Sequence, residues 1–593
     1  MANSDRKPYL TATVLDQDLL DNAQDNLVND FEMIVDIETP TAEVLHLSDR
    51  NKYVGSGDPG DAGVFYEARV RFPIIKKTIG EFLSPAIKFS TLSLEINNAD
   101  GKFNRLLPAG DDYDGWIGRK VTVSLGLRNL KSSYFKIFEG SVSPKGGFER
   151  TVKSFTLVAR NKFEEINKSF PREVFKIANT PDIEPNYDNT IIPYVYGDWT
   201  VVVEPGGASL KAIPVNGNSV NVNGGDDVTP GDHTVNVSVV ISDNANTFFD
   251  STEVYIKRGD FFFKFDPADI VNVSVNKNSF QVRQAGTAPA GVTMVDGALY
   301  EFTKGDIFLV KAKGKDLGAA GVNDNNIVEQ ARDILLTFGG ASALDFTSNW
   351  DTVRDKNTPA FPVQDAVKQV LSRIWAQEPQ NSLDFALSLL EQVRVEPFIN
   401  RDQKIDLSTL HFSDFVNPSS TPTLKNWDIV RPTLQPKIDD RTNLNRAKAV
   451  FNFLPNRNEE FNETKIFKNT AAITQSGVEE SKKIVFPNLY AIGDAERQLI
   501  ETIRLASSTP ENIYLSATWR SMLRDIGDFI LLDVDIEGVI FANVPCLVRE
   551  IGYDPNGIKL PMRLWSFQMT PFPGYTPGYP GTIGGYNQTI TEE

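Results

Sequence analysis

The chain of 593 residues carries one cysteine and three histidines. A single cysteine excludes an intrachain disulfide framework and any multi-cysteine zinc site. Cys546 stands in the apolar run Val544-Pro545-Cys546-Leu547-Val548, which reads as a buried strand. Its thiol is therefore expected to be a core group rather than a nucleophile. His46, His233 and His411 are far apart in the sequence, and no His-Glu-x-x-His pair occurs. That spacing argues against a histidine metal centre or a catalytic triad. No G-x-S-x-G elbow and no phosphate-binding P-loop is found. No run of about 18 apolar residues exists, so no transmembrane helix is expected. Met1 to Pro8 has no apolar stretch of a secretory signal, and the expectation is synthesis and initial residence in the cytosol. Basic charge is also short. Sixty Lys and Arg against 78 Asp and Glu leave a formal net charge of −18. This argues against a sequence-independent nucleic-acid binder and against adhesion to anionic lipid. It favours solubility through self-repulsion.

What is present is ordinary globular composition, 41% hydrophobic and rich in Phe. The length suits about three to five domains. The expected fold class is mainly β with an α/β insert: two similar small β-barrels, an inserted all-β domain and a small α/β unit. Residues 1–63 read as an N-terminal β extension, with strands over Thr11 to Leu15 and Glu32 to Ile37. Residues 64–190 read as the first barrel, because alternating segments recur between turn signals. Residues 191–320 read as the inserted all-β domain, with hairpin signals at Asn216-Gly217 and Asn223-Gly224. Within 321–430 three apolar stripes predict helices. The first is Ile327, Ala331, Ile334, Leu335 and Phe338, stopped by Gly339-Gly340. The second is Val363, Ala366, Val367, Val370 and Ile374, opened by Pro362. The third is Leu383, Ala386, Leu387, Leu390 and Val393, with Ser382 as N-cap. A Pro-rich link runs from Pro418 to Pro436. Residues 431–570 read as the second barrel, with a helix from Ala495 to Leu505 capped by Asp494. Residues 571–593 are too rich in Pro and Gly for a helix or interior strand, and read as an extended arm that orders only against something else.

The two expected barrels echo each other. Ile117-Gly118-Arg119-Lys120-Val121-Thr122-Val123 matches Ile526-Gly527-Asp528-Phe529-Ile530-Leu531-Leu532. Gly140-Ser141-Val142 then matches Leu547-Val548-Arg549, and Phe155-Thr156-Leu157 matches Met562-Arg563-Leu564. Gly118 and Gly527 each precede a strand, where glycine permits a bulge or tight bend. Two similar barrels in one subunit let a three-fold oligomer present a near six-fold ring.

Candidate chemistry is thin. Gly55-Ser56-Gly57-Asp58-Pro59-Gly60 matches G-x-G-x-x-G in letters, but Pro59 interrupts it and a strand-like segment follows, so it reads as a loop. Asn98-Ala99-Asp100-Gly101 looks like the start of a calcium loop. The pattern needs oxygen ligands where the chain has Ile96 and Leu107, so an Asp-Gly turn between strands is the better reading. Carboxylate pairs such as Asp111-Asp112, Asp226-Asp227 and Glu459-Glu460 read as solvated turns. Tyr255, Phe261-Phe262-Phe263 and Trp199 could stack sugars, but core packing explains them more simply. No catalytic, cofactor or metal residue is assigned, and no cofactor is expected.

The order of segments resembles that of baseplate-hub or tail-tip proteins of tailed bacteriophages. The resemblance rests on Phe65-Tyr66-Glu67-Ala68-Arg69, Phe89 to Leu94, Asn97 to Asn104, Trp116 to Val121, Phe138 to Val142, Ala159 to Phe163 and Ile192 to Trp199. The helical unit at 325–415, the helix near 495 and Ile526 to Ile530 continue it, whereas 200–315 has no counterpart. The resemblance implies a non-enzymatic virion protein, a homotrimeric hub at the distal end of the tail tube. Its partners would be the tail tube or a distal tail protein, the tape-measure protein and fibres or other baseplate proteins. DNA would be passing cargo only. Assembly would take place in the bacterial cytoplasm, with no membrane insertion. A carbohydrate-binding adhesin and a glycan-degrading tail enzyme are the alternatives.

Overall fold

A computed structural model describes the greater part of residues 31–54, 63–79, 91–107, 115–127, 134–171, 189–199, 326–354, 370–410, 422–454, 460–507, 510–554, 559–566 and 590–592, with isolated strands between 210 and 315. The fold is mainly β, built from several sheets and a few helices.

The N-terminal sheet places Phe31–Glu38, Lys120–Leu127, Phe135–Val142, Ser154–Asn161, Thr91–Asn97 and Val70–Arg71 side by side in that order, all antiparallel. Thr91–Asn97 exposes and buries alternate residues, so Leu92, Leu94 and Ile96 all face the core. The C-terminal sheet repeats the order with Phe529–Ile536, Val539–Tyr553, Leu560–Ser566, Glu511–Ala517 and Gln435–Ile438.

Pairing fixes which residues correspond. Ala159 lies opposite Val142 on one side and Leu92 on the other; Leu564 lies opposite Val548 and Ile513. The repeat is therefore real, but two of its sequence matches shift. Val142 corresponds to Val548 and not to Arg549. The cause is a bulge between Val548 and Glu550 that leaves Arg549 as an extra residue. Leu157 corresponds to Met562 and not to Leu564. A two-residue slip preserves the buried face, so alternation alone cannot detect it.

The expected barrels are open sheets, since neither strand path closes among the described residues. The reason lies in the chain after Val70–Arg71. It leaves the N-terminal sheet, and Ile75–Thr78 pairs antiparallel with Glu550 to Tyr553 of the other sheet. The two sheets share one apolar core. The Pro-rich link also contributes: Thr423–Lys425 and Gln435–Ile438 are outer strands of the C-terminal sheet, where Pro436 needs no donor on its open side.

A second core lies under the helices. Helix Ile327–Ile334 is capped by Asn326, whose side chain accepts from Val328 N and Glu329 N. It continues as a wide turn over Leu335–Gly339 and stops at Gly340, φ +79°. Helix Ser382–Gln392 starts one residue early. Asn381 holds the cap position, while Ser382 Oγ donates to Ile166 O (2.9 Å) and accepts from Lys168 N (3.1 Å). Residues 355–369 of the second expected helix lie outside the described residues. Its last member, Ile374, belongs to strand Ile374–Ala376, paired with Tyr194–Tyr196. Helix Ile492–Ser507 begins before Asp494, which sits in its first turn, 3.3 Å from Arg497. An acid there suits the helix dipole without being the cap. This helix packs on a sheet ordered Ser481–Phe486, Arg446–Leu454, Glu460–Asn469, Ile590–Glu592. The end of the expected arm thus orders against its own chain, with Phe467 opposite Glu592.

Strands between 210 and 313 form a separate seven-stranded antiparallel sheet. Asn216-Gly217, Asn223-Gly224 and Thr11 to Leu15 lie outside the described residues. The two ends of this insertion meet: Gly314 N donates to Gly197 O and Lys315 N to Val195 O, both at 2.8 Å.

Candidate assembly surface

The two sheets carry the same corner. In the first, Arg119 N donates to Trp116 O (3.1 Å), Gly118 N to Val142 O (2.9 Å) and Val142 N to Arg119 O (2.9 Å). In the second, Asp528 N donates to Asp525 O (3.3 Å), Gly527 N to Val548 O (2.9 Å) and Val548 N to Asp528 O (2.9 Å). Both glycines have φ +79°, which with the closing bond is the signature of a type II turn. The side chains differ. Trp116 is buried, its Nε1 donating to Leu106 O, whereas Ile117 at the tip is 63% exposed. In the second corner Asp525 is buried and Ile526 is only 2% exposed.

What covers Ile526 comes from elsewhere in the chain. Strand Ile75–Thr78 and the segment Pro397 to Gln403 line a small cavity of about 30 Å³ with it. The hairpin Val395–Ile399 and Ile405–Thr409 acts as a wedge between the sheets. Its Arg401 is buried, donates to Met522 O and Arg524 O, and lies 4.8 Å over the Phe135 ring of the first sheet. Glu396 pairs with the bulged Arg549, which also lies over Trp565. Lys76 pairs with Glu550 at 3.0 Å, and Lys77 faces Asp525 at 3.7 Å. These charges hold three parts of the chain in one body. Sequence reading missed them, because each is one charged letter in a strand or turn and the partners are remote.

The turn Asn97 to Asn104 is ordered by its own side chains. Asn98 Oδ1 accepts from Phe103 N, and its Nδ2 donates to Asn104 Oδ1. Gly101 has φ +72°, and the turn leads into a 3-10 turn at Asn104–Leu106 rather than directly into a second strand. Arg69 grips Asp100 with two nitrogens (2.9 and 2.6 Å), reaches Glu67 (2.6 Å) and lies over Phe103. Lys102 closes the set on Glu67 at 2.5 Å. Arg69 beside them holds the Asp100 and Glu67 carboxyls below the usual carboxylate range. Ile96 and Leu107, where a calcium loop needs oxygens, are core residues. Val44, His46, Phe65, Glu67, Lys102 and Arg105 line an open cleft of about 260 Å³ beside the turn. Phe65 and Tyr53 form an exposed ring pair 5.0 Å apart.

The other candidates fall as follows. Cys546 is fully buried, and burial pushes its thiol up. His46 Nδ1 lies 2.7 Å from Asp36, while His233 and His411 are outside the described residues. Trp199 is a core ring, its Nε1 bonded to Tyr196 O and its face under Arg373. The side chains of Phe261, Phe262 and Phe263 lie outside the described residues, as do Gly55 to Gly60, Asp111, Asp112, Asp226, Asp227 and Glu459. Among the described residues, no group of three His, Cys, Asp or Glu is placed to hold a metal ion.

No family model matches the chain, and no curated protein matches it by sequence. Solved structures to which it is similar include a tail protein from Neisseria meningitidis and the 43 kDa tail protein of prophage MuSo2 from Shewanella oneidensis. Each aligns at 8% identity and a TM-score of 0.37 over 90% of this chain, covering 97% and 98% of the other. A prophage tail protein from Listeria monocytogenes aligns at 10% identity and a TM-score of 0.24, over 67% of this chain and 98% of the other. At such scores, what the chain does has to be argued from its own geometry.

Proposed function

We propose that the chain is a structural protein of a bacteriophage tail, acting by assembly and gating rather than by catalysis. In this reading it is a homotrimeric hub that closes the distal end of the tail tube. The observation that carries it is the internal repeat, in which two sheets share strand order and corner hydrogen bonds and pack on one core. Three copies of such a chain offer six like units around an axis, and so adapt a three-fold object to a six-fold one. The corners supply the contact. Inside one copy the Ile526 corner is covered by strand Ile75–Thr78 and the hairpin from Val395, and the exposed Ile117 corner is the surface left for the next copy.

The net charge of −18 suits a channel through which DNA passes without sticking. The tube or a distal tail protein would dock on the ring, the tape-measure protein would end in its lumen, and the inserted sheet would face fibres or other baseplate proteins. Light scattering on the purified chain, with images of the particles, tests the reading. A three-copy ring with six lobes that binds isolated tail tubes is expected. A monomer at every concentration that ignores tail tubes, or one that cleaves polysaccharide, would overturn it.

A further inference from the structure

The seam between the sheets holds a lysine almost shut off from water. Lys77 is 6% exposed on strand Ile75–Thr78, and its Nζ has no hydrogen-bond partner. The carboxylate it faces, Asp525, is 3% exposed and belongs to the second corner. Asp525 Oδ1 accepts from the backbone N of Ile526, while Oδ2 has no partner. A dry ion pair with one backbone hydrogen bond between its two members is poorly compensated, since both charges have given up water. Burial also pushes the Lys77 amine down, toward its neutral and nucleophilic form. Lys77 Nζ stands 3.7 Å from Asp525 Oδ1, so the amine and the carboxyl group it would attack share one dry seam.

We propose that Lys77 and Asp525 are a modification site, joined by an isopeptide bond that forms once the chain has folded. The reaction balances within the pair. One proton passes from the ammonium to the carboxylate, giving an amine and a carboxylic acid. The Nζ lone pair adds to Cγ of Asp525, the C–OH bond breaks, and the hydroxyl leaves with a proton from nitrogen as water. No oxidant, reductant or cofactor is consumed. Exclusion of water then slows the reverse hydrolysis. The product is a covalent staple between the two repeated halves.

The site is independent of oligomeric state, so its test does not share the fate of the hub reading. The intact mass of the folded full-length chain should fall about 18 Da below that of the sequence, and a protease digest should contain a branched peptide joining the two positions. Lys77→Met and Asp525→Ala should each restore the full mass. Asp525→Asn should still link, with loss of ammonia, about 17 Da, an outcome that a purely structural role cannot produce. A folded wild-type chain at full mass would overturn the proposal, as would a mass loss that persists in Lys77→Met.

Discussion

At the first corner Ile117 stands in solvent; at the second Ile526 is buried, on the same turn with the same hydrogen bonds. Backbone and side chains therefore obey different constraints in the two units. The backbone repeats because a strand order and a positive-φ glycine solve the same packing problem twice. The side chains diverge because one corner has a neighbour within its own chain and the other does not. A repeated fold thus reports on ancestry of shape, and the mismatch between its copies reports on contact.

The sharpest way to break the comparison is to put a charge at each tip. Ile526→Asp should destabilise the chain by about 3–5 kcal/mol, because a second carboxylate would be stripped of water beside the buried Asp525. Ile117→Asp should leave stability within about 0.5 kcal/mol yet abolish the proposed three-copy ring. Denaturant titration and light scattering on both variants separate these outcomes, and equal destabilisation would end the argument.

Truncating the shared core comes next. Phe155→Ala in the first sheet and its counterpart Leu560→Ala in the second should each cost about 2–5 kcal/mol. Since the two sheets share one core, both variants should lower the same calorimetric transition. Two transitions moving separately would show independent units.

Smaller effects belong to the glycines. Gly118→Ala and Gly527→Ala, both at φ +79°, should each lose about 1–2 kcal/mol from left-handed backbone strain. At Gly118 a methyl group meets no atom within 4 Å, so strain alone is measured there.

Acid should then tell the turn Asn97 to Asn104 from the glycine corners. The Asp100 and Glu67 carboxyls are held low by Arg69, so their contribution is complete above the ordinary carboxylate values, near pH 4, and is lost as pH falls through the lower folded values. Amide protection in the turn Asn97 to Asn104, taken relative to the intrinsic exchange rate, should fall below about pH 4, and by more than at the Gly118 corner. An equal fall at both would remove the assigned cause.

Much of this fold was legible in the letters. Alternation marked the strand around Leu94, the echo of Ile117 to Val123 marked the one around Ile530, and apolar stripes marked helices Ile327–Ile334 and Ser382–Gln392. The glycine corners showed as a repeated Ile-Gly pair before a strand. What stayed hidden has physical causes. The bulge at Arg549 breaks the period by one residue, and an even slip at Leu157 leaves the pattern unchanged. Ile374 carries helical spacing but is claimed by a strand partner from Tyr194–Tyr196, a choice made by tertiary pairing. The seam could not be read at all, since Lys77 and Asp525, or Glu396 and Arg549, meet only after the chain has folded back on itself.

The meeting of Gly197 with Gly314 has one more consequence. A module whose two ends leave the body a hydrogen bond apart places no demand on the body's geometry, so it is interchangeable cargo. Evolution could trade one such sheet for another without renegotiating the frame. Replacing residues 200–312 with a short glycine linker should accordingly leave the melting temperature within about 3 °C.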